Sequence, residues 1–259
     1  MIPPRAILAA VSFSDTSRVE LMLAARLARH CGADLHVLYV EDPLLDAAAR
    51  RAGIDLSIST QRELQRFVAD AWPATLCSPE THVVAGPAVD VILEVAHQQR
   101  ADLIVVEGGR LPGAEKLLFG STIEQLIRRA DVSLLVAPAA WRPPEPDAED
   151  LSNVGPVIAI LDMSDQPSIA ATQAAAELAS VLGTSVEVVH VASDAEAPAA
   201  LGDRLAHTSE GHVGRAPMVV LGRRARSSKA AWPGALVNRA LAGGTVPILL
   251  YVAEQIAQL

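Results

Sequence analysis

The residues whose types and spacing suit chemistry in this chain are glycines and hydroxyls, not bases or nucleophiles. Between Glu107 and Thr122 stand Gly108, Gly109 and Gly113, then Gly120 and Ser121 at the expected start of a helix. Glycines let the main chain approach a phosphate closely, and free amides with the dipole of a helix start favour its negative charge. A polar turn at Ser12–Asp15 follows an apolar run in the same way. Further along, Gly222, Arg223, Arg224, Arg226, Lys229 and Gly234 make a basic loop. Such a loop either draws an anion or is a solvated run of charge. Glycine also marks ordinary strand-to-helix turns, so the pattern alone gives a location and not an activity.

Other chemistries lack their residues. There is no Gly-x-Ser-x-Gly, no P-loop Gly-Lys-Ser/Thr and no His-Glu-x-x-His. His207 and His212 are five apart, which does not place them on one helical face, and no third ligand stands out. No metal site is expected. His36 and His190 fall in or beside apolar runs and read as core or hydrogen-bonded residues. No base, nucleophile and orienting group come together, so no catalytic residue is named.

The 259 residues suffice for one large or two small domains. About half of them are apolar (51%), but aromatics are only 3%, so the core must be built from Ala, Val, Leu and Ile. This argues against a disordered chain and against RNA binding by aromatic stacking. The net charge of −9 disfavours nucleic acid and anionic membranes as partners. Cys31 and Cys77 lie far apart without a Cys-x-x-Cys, which suits a reducing cytoplasm. No apolar run reaches membrane-spanning length. Ile7–Val11 resembles a short leader, but a near copy recurs at Val157–Leu161, so both are read as strands.

That recurrence organises the chain. Each copy opens with a short β-branched run ended by a polar turn, the pattern of a strand buried on both faces. A helix follows: Leu21, Ala24, Ala25, Leu27 and Ala28 at helical spacing with Gly32 after them, then again Ala175, Ala176, Leu178, Ala179 and Leu182 with Gly183. In the second copy Ser164 or Asp165 suits the N-cap and Pro167 the first turn. Next come strands at Leu35–Val40 and Val186–Val191. Later strands at Ala101–Val106 and Ser133–Val136 are matched by Ala216–Leu221 and Pro247–Tyr251. Residues 141–154, rich in proline and acid, read as a linker.

The copies are unequal. Val40 and Glu107 are 67 residues apart, whereas Val191 and Gly222 are 31 apart, a deficit of 36 in the second copy. The first therefore has room for a helix, a strand at His82–Val84 and a helix at Val89–Gln98; Leu64, Phe67 and Val68 mark the covering face of the earlier helix. The second has room for one helix near Ala199–His207. The fold expected is α/β: two doubly wound parallel sheets in tandem, 1–140 complete and 155–259 lacking a helix and an edge strand.

Asp102–Val106, the loop to Gly120-Ser121, the following helix and Ser133–Pro138 match in length and order the terminal signature of the universal stress protein family, which the chain resembles. Val83–Ala88 before a helix is another family-like segment. The resemblance covers 1–140, and 155–253 in reduced form. It implies a flavodoxin-like parallel sheet in each domain, domains that pair through their last strands and, in some members only, adenine-nucleotide binding. Those members carry Gly-x-x-Gly, nine residues, then Gly-Ser or Gly-Thr, with an Asp after the first strand. Here the first copy keeps Gly120-Ser121 but has Glu107 and Arg110 at the leading glycines and Ser12 at the Asp. The second keeps Asp162 and Gly222, with Ala225 at the second glycine and Gly234-Ala235 without the hydroxyl.

The resemblance therefore implies a stress-response regulatory or binding protein whose nucleotide site is degenerate. If ATP or AMP binds, the first copy is expected to hold it. Ser12 and Val40 would line base and ribose, the amides of Gly109, Gly120, Ser121 and Thr122 would hold phosphate, and Arg110 would supply a guanidinium. Asp162, Gly222, Arg223 and Gly234 are the residual set in the second copy. The last strands are apolar and expected to pair with each other, giving an internal pseudo-dimer that dimerises again. A ligand-free interaction module and a slow nucleotide hydrolase are the alternative readings.

Overall fold

The computed structural model describes residues 3–71, 78–108, 121–138, 155–162, 166–191, 218–223 and 246–252. They belong to two compact units, Pro4–Glu107 and Gly108–Leu259 with Met1–Pro3.

The first unit holds β1 (Ala6–Val11), α1 (Asp15–Cys31), β2 (Asp34–Glu41), α2 (Pro43–Arg51), α3 (Ser57–Ala71), β3 (Glu80–Ala85), α4 (Ala88–Gln98) and β4 (Leu103–Gly108). Its strands run parallel in the order β3-β2-β1-β4. Because β1 pairs with β2 on one side and β4 on the other, the connections diverge there, and a crevice is expected beyond the carboxyl ends of β1 and β4. Ile7, Leu8 and Ala9 are fully buried, as are Val37, Leu38, Ile104 and Val105, which is why these strands read as continuous apolar runs. Leu21, Leu23, Ala24 and Leu27 of α1 and Leu64, Phe67 and Val68 of α3 complete the core. The Ser14 hydroxyl caps α1 by accepting the Ser17 amide at 3.0 Å, and Gly32 ends the helix in the left-handed conformation (φ 64°).

One helix more than expected lies between β2 and β3. Asp42 caps α2 through the Leu44 amide (2.7 Å) and Pro43 takes its first position. The helix buries no residue, and Leu44 and Leu45 face solvent. It therefore has capping signals but no inward stripe to mark it in the sequence.

The second unit holds α5 (Ser121–Arg129), β5 (Ser133–Pro138), β6 (Val157–Asp162), α6 (Gln166–Val181), β7 (Val186–Val191), β8 (Met218–Arg223) and β9 (Ile248–Val252) among its described residues. The strand order is β5-β9-β8-β6-β7. Neighbours are parallel except that β5 runs antiparallel to β9, with Leu134 opposite Leu250, Leu135 opposite Leu249 and Val136 opposite Ile248. The expected helices near 199–207 and 235–241 and the linker 141–154 lie outside the described residues. His190, read as a core or hydrogen-bonded residue, is exposed on β7, where Val188 is exposed too. Among the described strands β7 is the last on its side of this sheet.

Candidate functional site

The crevice of the first unit is built by the turn after β1, the first turns of α1 and the end of β4. Register carries Ala10 opposite Val106, so Ser12, the first residue after β1, and Glu107, next to last in β4, lie at neighbouring strand ends. The Ser12 hydroxyl donates to Glu107 Oε1 at 2.9 Å; Ser14 and Ser17 donate to Oε2 at 2.7 and 2.9 Å. Each hydroxyl has one proton, so these three are spent on Glu107. The 3.1 Å approach of the Ser12 and Ser17 oxygens is then a contact. Ser17 Oγ also accepts the Ser12 amide (2.9 Å), and Ser14 Oγ accepts the Ser17 amide. Three hydroxyls converging on two oxygens suit a carboxylate, which has only acceptors to offer.

Behind this cluster lies a second acid. Glu20, one turn beyond Ser17 on α1, is fully buried, and neither of its oxygens has a partner in hydrogen-bonding geometry. Burial pushes its pKa well above the usual carboxylate range, and the charge of Glu107 pushes it further. The Ser17 hydroxyl and the main chain of Glu107 and Ala10 oppose that shift without cancelling it. The crevice thus holds an anchored acceptor in front and, behind it, a buried acid that keeps its proton to higher pH than usual.

Phe13 closes the side toward β2. Its φ of +60° is a left-handed conformation rarely taken by a bulky residue. Its ring stacks on Tyr39 at 4.1 Å and meets the edge of Phe67 at 5.5 Å, while the Arg18 guanidinium lies 4.9 Å above Phe67. The stack uses three of the eight aromatic residues in the chain.

Of the residues singled out from the sequence, Ser12 is exposed in the crevice. Val40 is half-buried near the end of the adjoining strand. Thr122 is the half-buried second residue of α5, and Ser121 is its first. Gly109, Arg110, Gly120 and Gly234 lie outside the described residues. Asp162 ends β6 and Arg223 ends β8. Gly222 has a packing reason of its own. A Cβ there would collide with the Pro167 carbonyl and stand 2.7 Å from the Ser168 nitrogen, so α6 can begin this close to β8 only over a glycine. Ser168 seals that junction, its hydroxyl donating to the Ile160 carbonyl at 2.9 Å.

Ser14, Ser17 and Glu20 were not singled out as site residues. In the sequence Ser14 falls within the polar turn Ser12–Asp15, and Ser17 and Glu20 stand beside the apolar stripe of α1. Among the described residues, one group has the make-up to hold a metal ion: His36, Glu80 and His82, on β2 and β3. His36 is buried and His82 half-buried. Burial lowers the His82 pKa, and His36 lowers it further, against an opposing pull from Glu80. Among the described residues no helix is long and apolar enough to cross a membrane.

A universal stress protein of Methanocaldococcus jannaschii is 28% identical over 131 residues, 48% of this chain and 75% of that one. The crystal structure of a universal stress protein from Archaeoglobus fulgidus matches with a TM-score of 0.62 at 16% identity, over 95% of this chain and 98% of the other. A functionally unknown protein from Pseudomonas aeruginosa matches with a TM-score of 0.60 at 13% identity, over 96% and 93%. At such identities these two likenesses speak for the fold: α/β, with a sheet that is parallel apart from one strand pair. The sequence model of the universal stress protein family matches residues 4–138, more than half of the 259. The chain belongs to the universal stress protein family.

Proposed function

We propose that this chain is a stress-response regulatory or binding protein in which adenine-nucleotide binding, of ATP or AMP, is weak or absent. The observation that carries the reading is Glu107. It stands at the family's leading loop glycine and takes up the hydroxyls of Ser12, Ser14 and Ser17, the donors a bound phosphate would need. A carboxylate about 4 Å from a phosphate charge costs about 4 kcal/mol at an effective dielectric of about 20. That is about a thousandfold in affinity.

The tandem arrangement is part of the proposal: 1–140 as the complete domain, 141–154 as linker and 155–259 as the truncated one. In its support, β6 pairs with β7 and β8 as β1 pairs with β2 and β4. The antiparallel pairing of β5 with β9 is what a pseudo-two-fold axis between two copies generates. The exposed surface of β7 fits a copy that lacks an edge strand. The same logic extends to a homodimer in a cytoplasmic setting.

One observation favours the second reading, a ligand-free interaction module. Leu44, Leu45, Ile54 and Ile58 on and after α2 are 54–79% exposed, an unusual concentration of large apolar side chains.

Melting the protein with and without millimolar ATP or AMP, and assaying denatured protein for released nucleotide, tests the proposal. No shift and no nucleotide are expected from the wild type, with a gain in shift for Glu107→Gly. A ligand at about 100 times its Kd would stabilise by about 2.7 kcal/mol, several degrees in Tm. Such a shift, or stoichiometric ATP, in the wild type would overturn the reading.

A further inference from the structure

We propose that His36, Glu80 and His82 form a binding site for a divalent transition-metal ion of borderline softness, with zinc as the type case. The ion would take an imidazole nitrogen from each histidine and one carboxylate oxygen. Nothing in the nucleotide question touches this site.

The parallel register of β2 and β3 sets His36 opposite Glu80, and Leu38 opposite His82. Side chains alternate along a strand, so Glu80 and His82 project to one face of β3, and His36 to the same face of β2. Thr81, between them, points the other way, where its hydroxyl accepts from the Gln61 amide of α3 at 2.7 Å. The three ligating groups therefore converge away from α3, on two adjacent strands whose ladder fixes their spacing.

The distances fit a tetrahedral ion. Ligand atoms about 2.0–2.1 Å from zinc stand about 3.3–3.4 Å from one another at the tetrahedral angle. His36 Nδ1 lies 3.3 Å from His82 Nε2 and 3.4 Å from Glu80 Oε2. Both are long for hydrogen bonds, whose usual length is about 2.9–3.0 Å. One ring nitrogen also has a single proton or a single lone pair, so it cannot serve two partners fully. All three ligand atoms lie within 4.8 Å of each other, so the remaining edge closes by a small swing of Glu80, whose side chain is exposed. Two imidazoles and a carboxylate suit zinc, nickel, cobalt or copper better than magnesium or calcium, which want oxygen. Three protein ligands leave a fourth position for water.

The test uses the full chain, stripped with chelator and titrated with Co²⁺ and then Zn²⁺ at micromolar concentrations. The expected result is tetrahedral Co²⁺ absorption bands that Zn²⁺ abolishes. Glu80→Gln and His82→Gln are expected to weaken binding at least about tenfold. Glu80→Gln changes an exposed side chain, so a loss of binding with an unchanged circular dichroism spectrum is a loss of the site. No Co²⁺ spectrum and no Zn²⁺ uptake by the wild type, or uptake equal in both variants, would overturn the proposal and leave a hydrogen-bonded histidine pair.

Discussion

Glu20→Gln provides the sharpest test of the buried acid behind the crevice. In the unfolded chain Glu20 releases its proton near its ordinary pKa of 4.5; in the folded chain burial, and then the charge of Glu107, hold the proton to a much higher pH. Between those two values the folded state binds one proton more than the unfolded one. Stability from this group is therefore fully present below about pH 4.5 and is lost as pH rises toward the folded value. The loss is about 1.4 kcal/mol per pH unit. Glutamine keeps the size and polarity but cannot titrate, so the variant lacks this slope. Urea unfolding followed by circular dichroism in steps from about pH 5 to about pH 6 should show the variant gaining about 1.4 kcal/mol relative to wild type. Titrations elsewhere cancel in the difference. A carbon-13 titration of the Glu20 carboxyl gives the same answer directly. A stability difference that stays flat over this range, or a carboxyl that titrates at its ordinary value, would refute the assignment of Glu20 as a protonated buried acid.

Three further outcomes follow from local geometry. Gly222→Ala should lower stability by about 1–3 kcal/mol in thermal or urea unfolding, because the new methyl meets the main chain of Pro167 and Ser168, which cannot swing aside. The Cys31 thiol, pushed up to about 11 by burial and then by Asp102, should be alkylated about a hundredfold more slowly in the folded chain than unfolded near neutral pH. Mass spectrometry on a Cys77→Ser background reads this out; equal rates would count against the burial. At Phe13, both Phe13→Ala and Phe13→Gly lose the ring stack, but only alanine keeps the cost of φ +60°, so glycine should be the more stable by about 1 kcal/mol.

What could be read from the sequence was whatever rests on local periodicity. The strands at Ile7–Val11, Leu35–Val40, Ser133–Val136 and Val157–Leu161 are mostly buried, so each is a mainly apolar run. Helix α1 carries both its stripe and its caps within its own residues. By contrast, α2 is held by Asp42 and Pro43 and buries nothing, so the pattern that reveals a helix is missing from it. The crevice was legible as a place, the carboxyl ends of β1 and β4, but not as a constellation. Glu107 reads in the sequence as a lost glycine; its meaning comes from three hydroxyls some 90 to 95 positions away.

The histidine cluster makes the same point in a sheet. His36 and His82 are 46 positions apart, and no spacing rule joins them. They meet because β2 and β3 pair in one register out of several, and a slip of one residue would turn Glu80 and His82 to the opposite face. Val37 and Leu38, fully buried on opposite faces, hold β2 in the core of the sheet whatever stands at 36 or 82. Substitutions at His36, Glu80 and His82 should therefore change what binds there without moving the strands. Substitutions at Val37 or Leu38 should disturb both. The packing of apolar residues sets the address, and the polar residues that happen to share it set the chemistry.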